Sequence, residues 1–424
     1  MFTIAQSKST MRIAFMVPLV VSVLLILTSC GQPDSGTTGA PATATSQPAT
    51  ATATRPLPTP TPKLGPHQDI TSIQMIDAHS GWAETLQKSI LHTVDGAATW
   101  TDVTPKYPKQ SLFQFSTEFL DATHAWSAIP VGGTQSQLQV FRTTDAGQTW
   151  QSTTVDFGNQ YNVTGSQITF LDAQHGWIMV GMGAAAGSME AAILRTSDGG
   201  ATWSLLSTAL PTGPSSTNQL PFGGLKSGVG FPDTSTGYIS GTTYANNRAW
   251  FYVTHDGGRT WRSQTLPLPQ HVGDGQLSLS VPQFFNANDG ILTVIGFMPF
   301  TGAHDGFAVY VTHDGGATWN VGTPLTPVPQ ASTFIDSQHG WTSNYEGKII
   351  QFTSDSGQHW LRITPTSTTS FKGFLSFSFV SSTAGWAIGT TDLMHPDNPG
   401  TNVLLKTNDG GHSWTKVEYR ITAR

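Results

Sequence analysis

Seven times this chain repeats an octet that ends in tryptophan. It reads TVDGAATW from Thr93, TTDAGQTW from Thr143, TSDGGATW from Thr196, THDGGRTW from Thr254, THDGGATW from Thr312, TSDSGQHW from Thr353 and TNDGGHSW from Thr407. A second pattern precedes each octet: MIDAHSGW from Met75, FLDATHAW from Phe119, FLDAQHGW from Phe170, FPDTSTGY from Phe231, FFNANDGI from Phe284, FIDSQHGW from Phe334 and FVSSTAGW from Phe379. The two alternate without a missing member, and only Trp250 among the 13 tryptophans falls outside them. A period of 41 to 58 residues between octets is the signature of a repeat architecture.

Each repeat reads as four short strands joined by Gly- and Asp-containing turns, which predicts a four-stranded antiparallel blade. One such blade cannot hide its own faces, whereas several around an axis cover one another and leave only short edges. The expected fold is therefore all-β: a seven-bladed β-propeller over residues 66–424. Within each octet, Gly permits positive φ, the Asp carboxylate can accept hydrogen bonds from nearby N–H groups, and Thr can add a local bond. The Trp would fold back over the hairpin, where a buried aromatic contributes roughly 1.5–3 kcal/mol. The octet resembles the Asp-box, or BNR, repeat, with Ala97 replacing the usual second Gly in the first copy.

The octet aspartates, Asp95, Asp145, Asp198, Asp256, Asp314, Asp355 and Asp409, are read as structural, together with Trp100, Trp150, Trp203, Trp261, Trp319, Trp360 and Trp414. An active site needs environments that separate pKa values, and repetition makes environments alike. The same holds for Asp77, Asp121, Asp172, Asp233 and Asp336, where Asn286 and Ser381 stand in the other two repeats. His124, His175 and His339 share one repeat position, and His255 and His313 another; symmetry places them in different blades, so they are expected to serve turns and not to converge on a metal. No cofactor is expected.

The first sixty-five residues stand outside the repeats. Lys8 and Arg12 precede an apolar run from Ile13 to Leu27, followed by Thr28, Ser29 and Cys30. Residues 1–29 are read as an export signal, with Met11 as an alternative start, since the run is short of the roughly 20 residues that span a bilayer. Leu27-Thr28-Ser29-Cys30-Gly31 resembles a bacterial lipobox, which implies acylation of Cys30 and a bacterial cell-membrane location facing outside the cytoplasm. Residues 30–65 are rich in Thr, Pro and Ala and are expected to form a disordered tether. Cys30 is the chain's single cysteine, so no internal disulfide can form.

In each blade the turns between strands 1 and 2 and between strands 3 and 4 leave from one end. Both motifs therefore crowd onto one face, and the variable connections fall on the other, where function tends to sit. Candidate contact residues there are Lys226, Tyr244, Arg248, His271, Asp274, Phe297, Phe300, His304, Asp305, His395 and Asp397. Two closures of the ring remain open: self-contained blades, or pairing of residues near Asp69 with a C-terminal strand around Val417 to Thr422.

A charged fraction of 11% and a net charge of -6 give no basic stripe for nucleic acid. The alternation of the two motifs resembles the photosystem II stability and assembly factor family, which implies a non-enzymatic scaffold that binds a protein partner. That family's partner site is a basic patch, and no arginine cluster is evident here, so no site is carried over. Sialidases and xyloglucan hydrolases also carry Asp-boxes, which keeps a glycan-binding protein or glycoside hydrolase as the alternative. Tyr244, Trp250 and Phe300 could supply stacking surfaces for a glycan, although Trp250 sits just before a third strand and reads equally as core, and Asp274, Asp305 and Asp397 are the residual acidic candidates for an enzyme. A monomer is expected.

Overall fold

A computed structural model describes residues 69–108, 116–131, 136–158, 162–211, 219–244, 248–270, 275–297, 306–344, 349–393, 395, 398 and 400–423. The signal, Cys30 and the tether lie outside them. The described residues form strands and turns without a helix. The strands make six hydrogen-bonded sheets, and the nine-stranded one holds two successive repeats, so each of the seven repeats supplies one antiparallel unit. The first blade comprises Ile70–Met75, Gly81–Thr85, Ile90–Thr93 and Thr99–Asp102, and the third Gly165–Phe170, Gly176–Ala185, Ser188–Thr196 and Ser204–Ala209. In the fifth blade the first strand is split into Gln276–Leu279 and Gln283–Phe284. The chain is an all-β propeller of Asp-box blades.

The octet turns are held alike in all seven blades. In the fourth, Thr254 Oγ1 donates to Asp256 Oδ1 at 2.8 Å and accepts from the Gly258 N–H at 2.9 Å. The Thr260 N–H donates to Asp256 Oδ1 at 2.9 Å, and its hydroxyl to Oδ2 at 2.7 Å. The Thr-to-Asp bond recurs in every octet at 2.7–3.0 Å. In the first octet Ala97 keeps the turn by adopting φ 79°, a left-handed conformation that costs a residue with a Cβ. The turn between strands 1 and 2 lies alongside: Gly96 N–H donates to His79 O at 2.8 Å, and the equivalent bond joins the two turns in every blade, up to Ser356 N–H to Gln338 O at 3.1 Å. Both motifs thus share one face.

The second motif joins neighbouring blades. Its Phe ring lies over the Gly six residues further on, so a Cβ on Gly176 would meet Phe170 at 2.6 Å. The other face of that Phe receives the motif Trp of the preceding blade. Trp126 stacks on Phe170 at 3.6 Å, Trp177 on Phe231 at 3.7 Å, and Trp341 on Phe379 at 3.9 Å between ring centroids. The octet Trp of the Phe's own blade meets the ring edge-on, as Trp203 does with Phe170. Trp100, Trp261 and Trp414 are fully buried, while Trp150, Trp203 and Trp360 are partly exposed.

The ring closes with blades that are complete in themselves. The C-terminal segment Arg420–Thr422 then adds a fifth strand, parallel to Thr99–Thr101 on the outer edge of the first blade. It pairs with the fourth strand and not with residues near Asp69, which lie at the other end of that sheet. Asp69 instead accepts from the Gly400 N–H of the last blade.

Candidate functional site

The opposite face carries connections that differ from blade to blade, and the seam between the third and fourth blades is its best-defined part. Gly176–Ala185 and Ser188–Thr196 form the longest hairpin. Its pairing with the blade's first strand ends at Gly165–Gly181, so Gly183 to Met189 project past the sheet as a two-stranded ribbon. One edge of the ribbon is braced by the following connection: Met189 N–H donates to Phe222 O at 3.2 Å and Gly224 N–H to Gly187 O at 2.9 Å.

Lys226, expected among the exposed contact residues, lies beneath this ribbon and is 6% exposed. Its Nζ donates to the carbonyls of Met189 at 2.9 Å, Phe222 at 3.1 Å and Gly224 at 3.2 Å. An ammonium has three donors, so all are used. The group also sits 5.0 Å from the ring centroid of Trp250. Burial pushes the ammonium down to about 7, while carbonyl acceptors and the aromatic face favour its charged form. Lys226 therefore ties three chain segments together. Trp250, which the sequence left open between a stacking surface and core, is buried behind it.

Tyr244 remains 61% exposed. One side of its ring rests on the Gly187 backbone, where a Cβ would come within 2.3 Å of it, so only glycine permits the contact. Its carbonyl accepts from Gln276 Nε2 at 3.0 Å. Arg248 is exposed nearby in sequence, and His395 lies on the last blade, where Nδ1 is 3.2 Å from Asp392 Oδ2. Phe297 ends a strand. His271, Asp274, Phe300, His304, Asp305 and Asp397 lie outside the described residues.

On the motif face the carboxylates serve the turns. Partial burial opposes ionisation of Asp256, but hydrogen bonds from Thr260 and Thr254 outweigh it and hold the carboxyl at about 2. Asp198 and Asp409 are held at about 2 in the same way. His124, His175 and His339 each place Nδ1 2.8–2.9 Å from the Asp of their own turn. Among the described residues no three His, Cys, Asp or Glu converge as a metal site.

Two glutamates lie near the inner strands. Glu84 accepts from Thr117 Oγ1 at 2.6 Å. Glu118, next along that strand, points to the opposite sheet face, since alternate residues do. There burial pushes its carboxyl up to about 8, against a bond from the Phe170 backbone. The two acids thus face different seams and do not form a facing pair.

Sequence reasoning placed the motifs on one face but did not show the braced ribbon. Its signal was present in Gly187 and Gly224, whose partners Tyr244 and Trp250 lie some distance along the chain.

Compared by sequence, the chain matches no family model and no curated protein. Among solved structures it is similar to YCF48 bound to D1 peptide, with 17% identity, a TM-score of 0.47, and coverage of 76% of this chain and 90% of that one. It is also similar to YCF48 from Cyanidioschyzon merolae, with 17% identity, a TM-score of 0.44, and coverage of 83% and 97%. The GH74 xyloglucanase from Xanthomonas campestris aligns with 14% identity and a TM-score of 0.51 over 84% of this chain. This chain spans only 55% of that enzyme's length.

Proposed function

We propose that this protein is an extracytoplasmic, lipid-anchored binding scaffold, without catalytic activity of its own, that takes a protein partner on its variable face. The observation that carries this reading is the ribbon from Gly183 to Met189. It is braced from below by Lys226 and capped by the exposed ring of Tyr244. A preformed, projecting element loses little conformational freedom when a partner binds, which favours recognition. The resemblance of the paired motifs to an assembly-factor family supports a protein as the partner. The octet carboxylates, each engaged by its own turn, leave the repeated acids without a catalytic task.

Anchoring rests on the lipobox-like run ending at Cys30. Cys30→Ala should abolish incorporation of labelled fatty acid and move the protein from the membrane to the soluble fraction; unchanged labelling would remove the anchor from the proposal. For the partner, crosslinking in the native cell should recover one membrane-associated protein, and Tyr244→Ala should reduce the yield severalfold. Selective capture on a glycan array, with no protein crosslinked, would replace the scaffold with a glycan-binding protein. Glycan hydrolysis lost on changing Asp274, Asp305 or Asp397 would make it an enzyme.

A further inference from the structure

Six of the seven seams between blades carry the same kind of side-chain bond on the motif face. The last residue of the second motif donates to a turn carbonyl of the next blade. Trp126 Nε1 reaches Gly199 O at 2.8 Å, Trp177 reaches Gly257 O at 2.9 Å, and Tyr238 Oη reaches Gly315 O at 2.8 Å. Trp341 reaches Gly410 O at 3.1 Å and Trp386 reaches Gly96 O at 3.3 Å. Trp82 reaches the neighbouring turn, at Asp121 O, at 2.8 Å.

The seam between the fifth and sixth blades differs. Ile291 occupies the donor position and packs with Phe334 through apolar contact alone. The acceptor position is Ser356, held at φ 64°, where five other blades have Gly. Ser356 also makes the longest of the seven bonds between paired turns, at 3.1 Å. Three bonds remain across this seam: Thr323 N–H donates to Gly357 O at 2.8 Å, its hydroxyl to Gln358 O at 2.7 Å, and Gln358 Nε2 to Val321 O at a long 3.5 Å.

The contrast with the seam between the last and first blades is informative, because there the chain's two ends meet without a covalent connection. That seam carries Trp386, the bond from Met75 N–H to Ser378 Oγ at 2.8 Å, the bond from Asn402 Nδ2 to Ile70 O at 3.1 Å, and the added parallel strand.

We infer that the ring has one hinge seam, between the fifth and sixth blades, and that it opens there first while the seam holding the chain ends stays shut. Local opening follows the elements with the fewest bonds and least specific packing.

Hydrogen exchange of the full protein, resolved to single amides, tests this. Thr323 N–H seals the hinge seam, and Thr366 N–H, bonded to His412 O at 2.9 Å, is its counterpart between the sixth and seventh blades. After correction for intrinsic rates, Thr323 should exchange about fivefold faster, the difference one net hydrogen bond makes. Ile291→Trp, which restores the missing donor, should slow Thr323 by a similar factor. If that variant does not fold, Trp341→Phe serves instead and should speed Thr366 about fivefold. Equal or greater protection of Thr323 in the unaltered protein would overturn the inference, and so would a folded Ile291→Trp variant or a Trp341→Phe variant with unchanged exchange.

Discussion

Trp386 and Gly96 stand 290 residues apart in sequence, yet the indole N–H of the first donates to the carbonyl of the second at 3.3 Å. The contact joins the seventh blade to the first and is the same one that joins consecutive blades elsewhere. Trp386→Phe keeps most of the apolar area and leaves the Gly96 carbonyl without this donor. The expected loss is about 1 kcal/mol, read from the midpoint of denaturant unfolding. An unchanged midpoint would show that the terminal strand and apolar contacts close the ring by themselves.

Ala97 gives a prediction of the opposite sign. It is buried and held at φ 79° where the octet pattern calls for Gly. Ala97→Gly relieves the left-handed strain at the expense of a more flexible unfolded chain. A gain of about 0.5–1 kcal/mol in unfolding free energy is expected. Loss of stability would mean that the methyl group's packing outweighs the strain.

Glu118 makes stability depend on pH. Its carboxyl, raised by burial to about 8 from an ordinary 4.5, stays protonated in the fold over a range where the unfolded chain ionises. The native state then binds more protons than the unfolded state, so stability falls as pH rises from 4.5 toward 8. Glu118→Gln cannot ionise and should remove that part of the slope. Chemical denaturation of both proteins at pH 5 and pH 8 checks this; parallel slopes would place the ionising group elsewhere.

Lys226 should act in the reverse sense. Its amine, lowered by burial to about 7 from 10.5, loses its proton more readily in the fold than in the unfolded chain. Its contribution therefore favours the fold increasingly between pH 7 and 10.5. Lys226→Met should flatten that rise and cost about 1–3 kcal/mol at neutral pH, because three buried carbonyls lose their donor. Hydrogen exchange should quicken at Met189 and Gly224 before it does so in other blades.

The octet was readable from sequence because its chemistry is local: Thr254, Asp256, Gly258 and Thr260 bind one another within seven residues. The strand order followed for the same reason, since the four strands of each blade pair in chain order. The task of the second motif was not readable. Trp177 finds its acceptor in Gly257, 80 residues later, and only the ring geometry brings them together. The cage around Lys226 was hidden likewise, because backbone carbonyls leave no trace in side-chain patterns. As a result an expected surface residue proved to be an internal tie, while neighbouring Tyr244 kept its exposure.

The six bonds between blades all run in one rotational sense, from an aromatic donor to the turn that follows. Apart from the seam between the fifth and sixth blades, the repeats therefore meet through a giving edge and a receiving edge of the same design, like links cut from one die. A whole repeat gained by duplication would find matching neighbours on both sides without further change. The lineage could thus alter ring size in single steps, leaving selection to act chiefly on the connections of the opposite face.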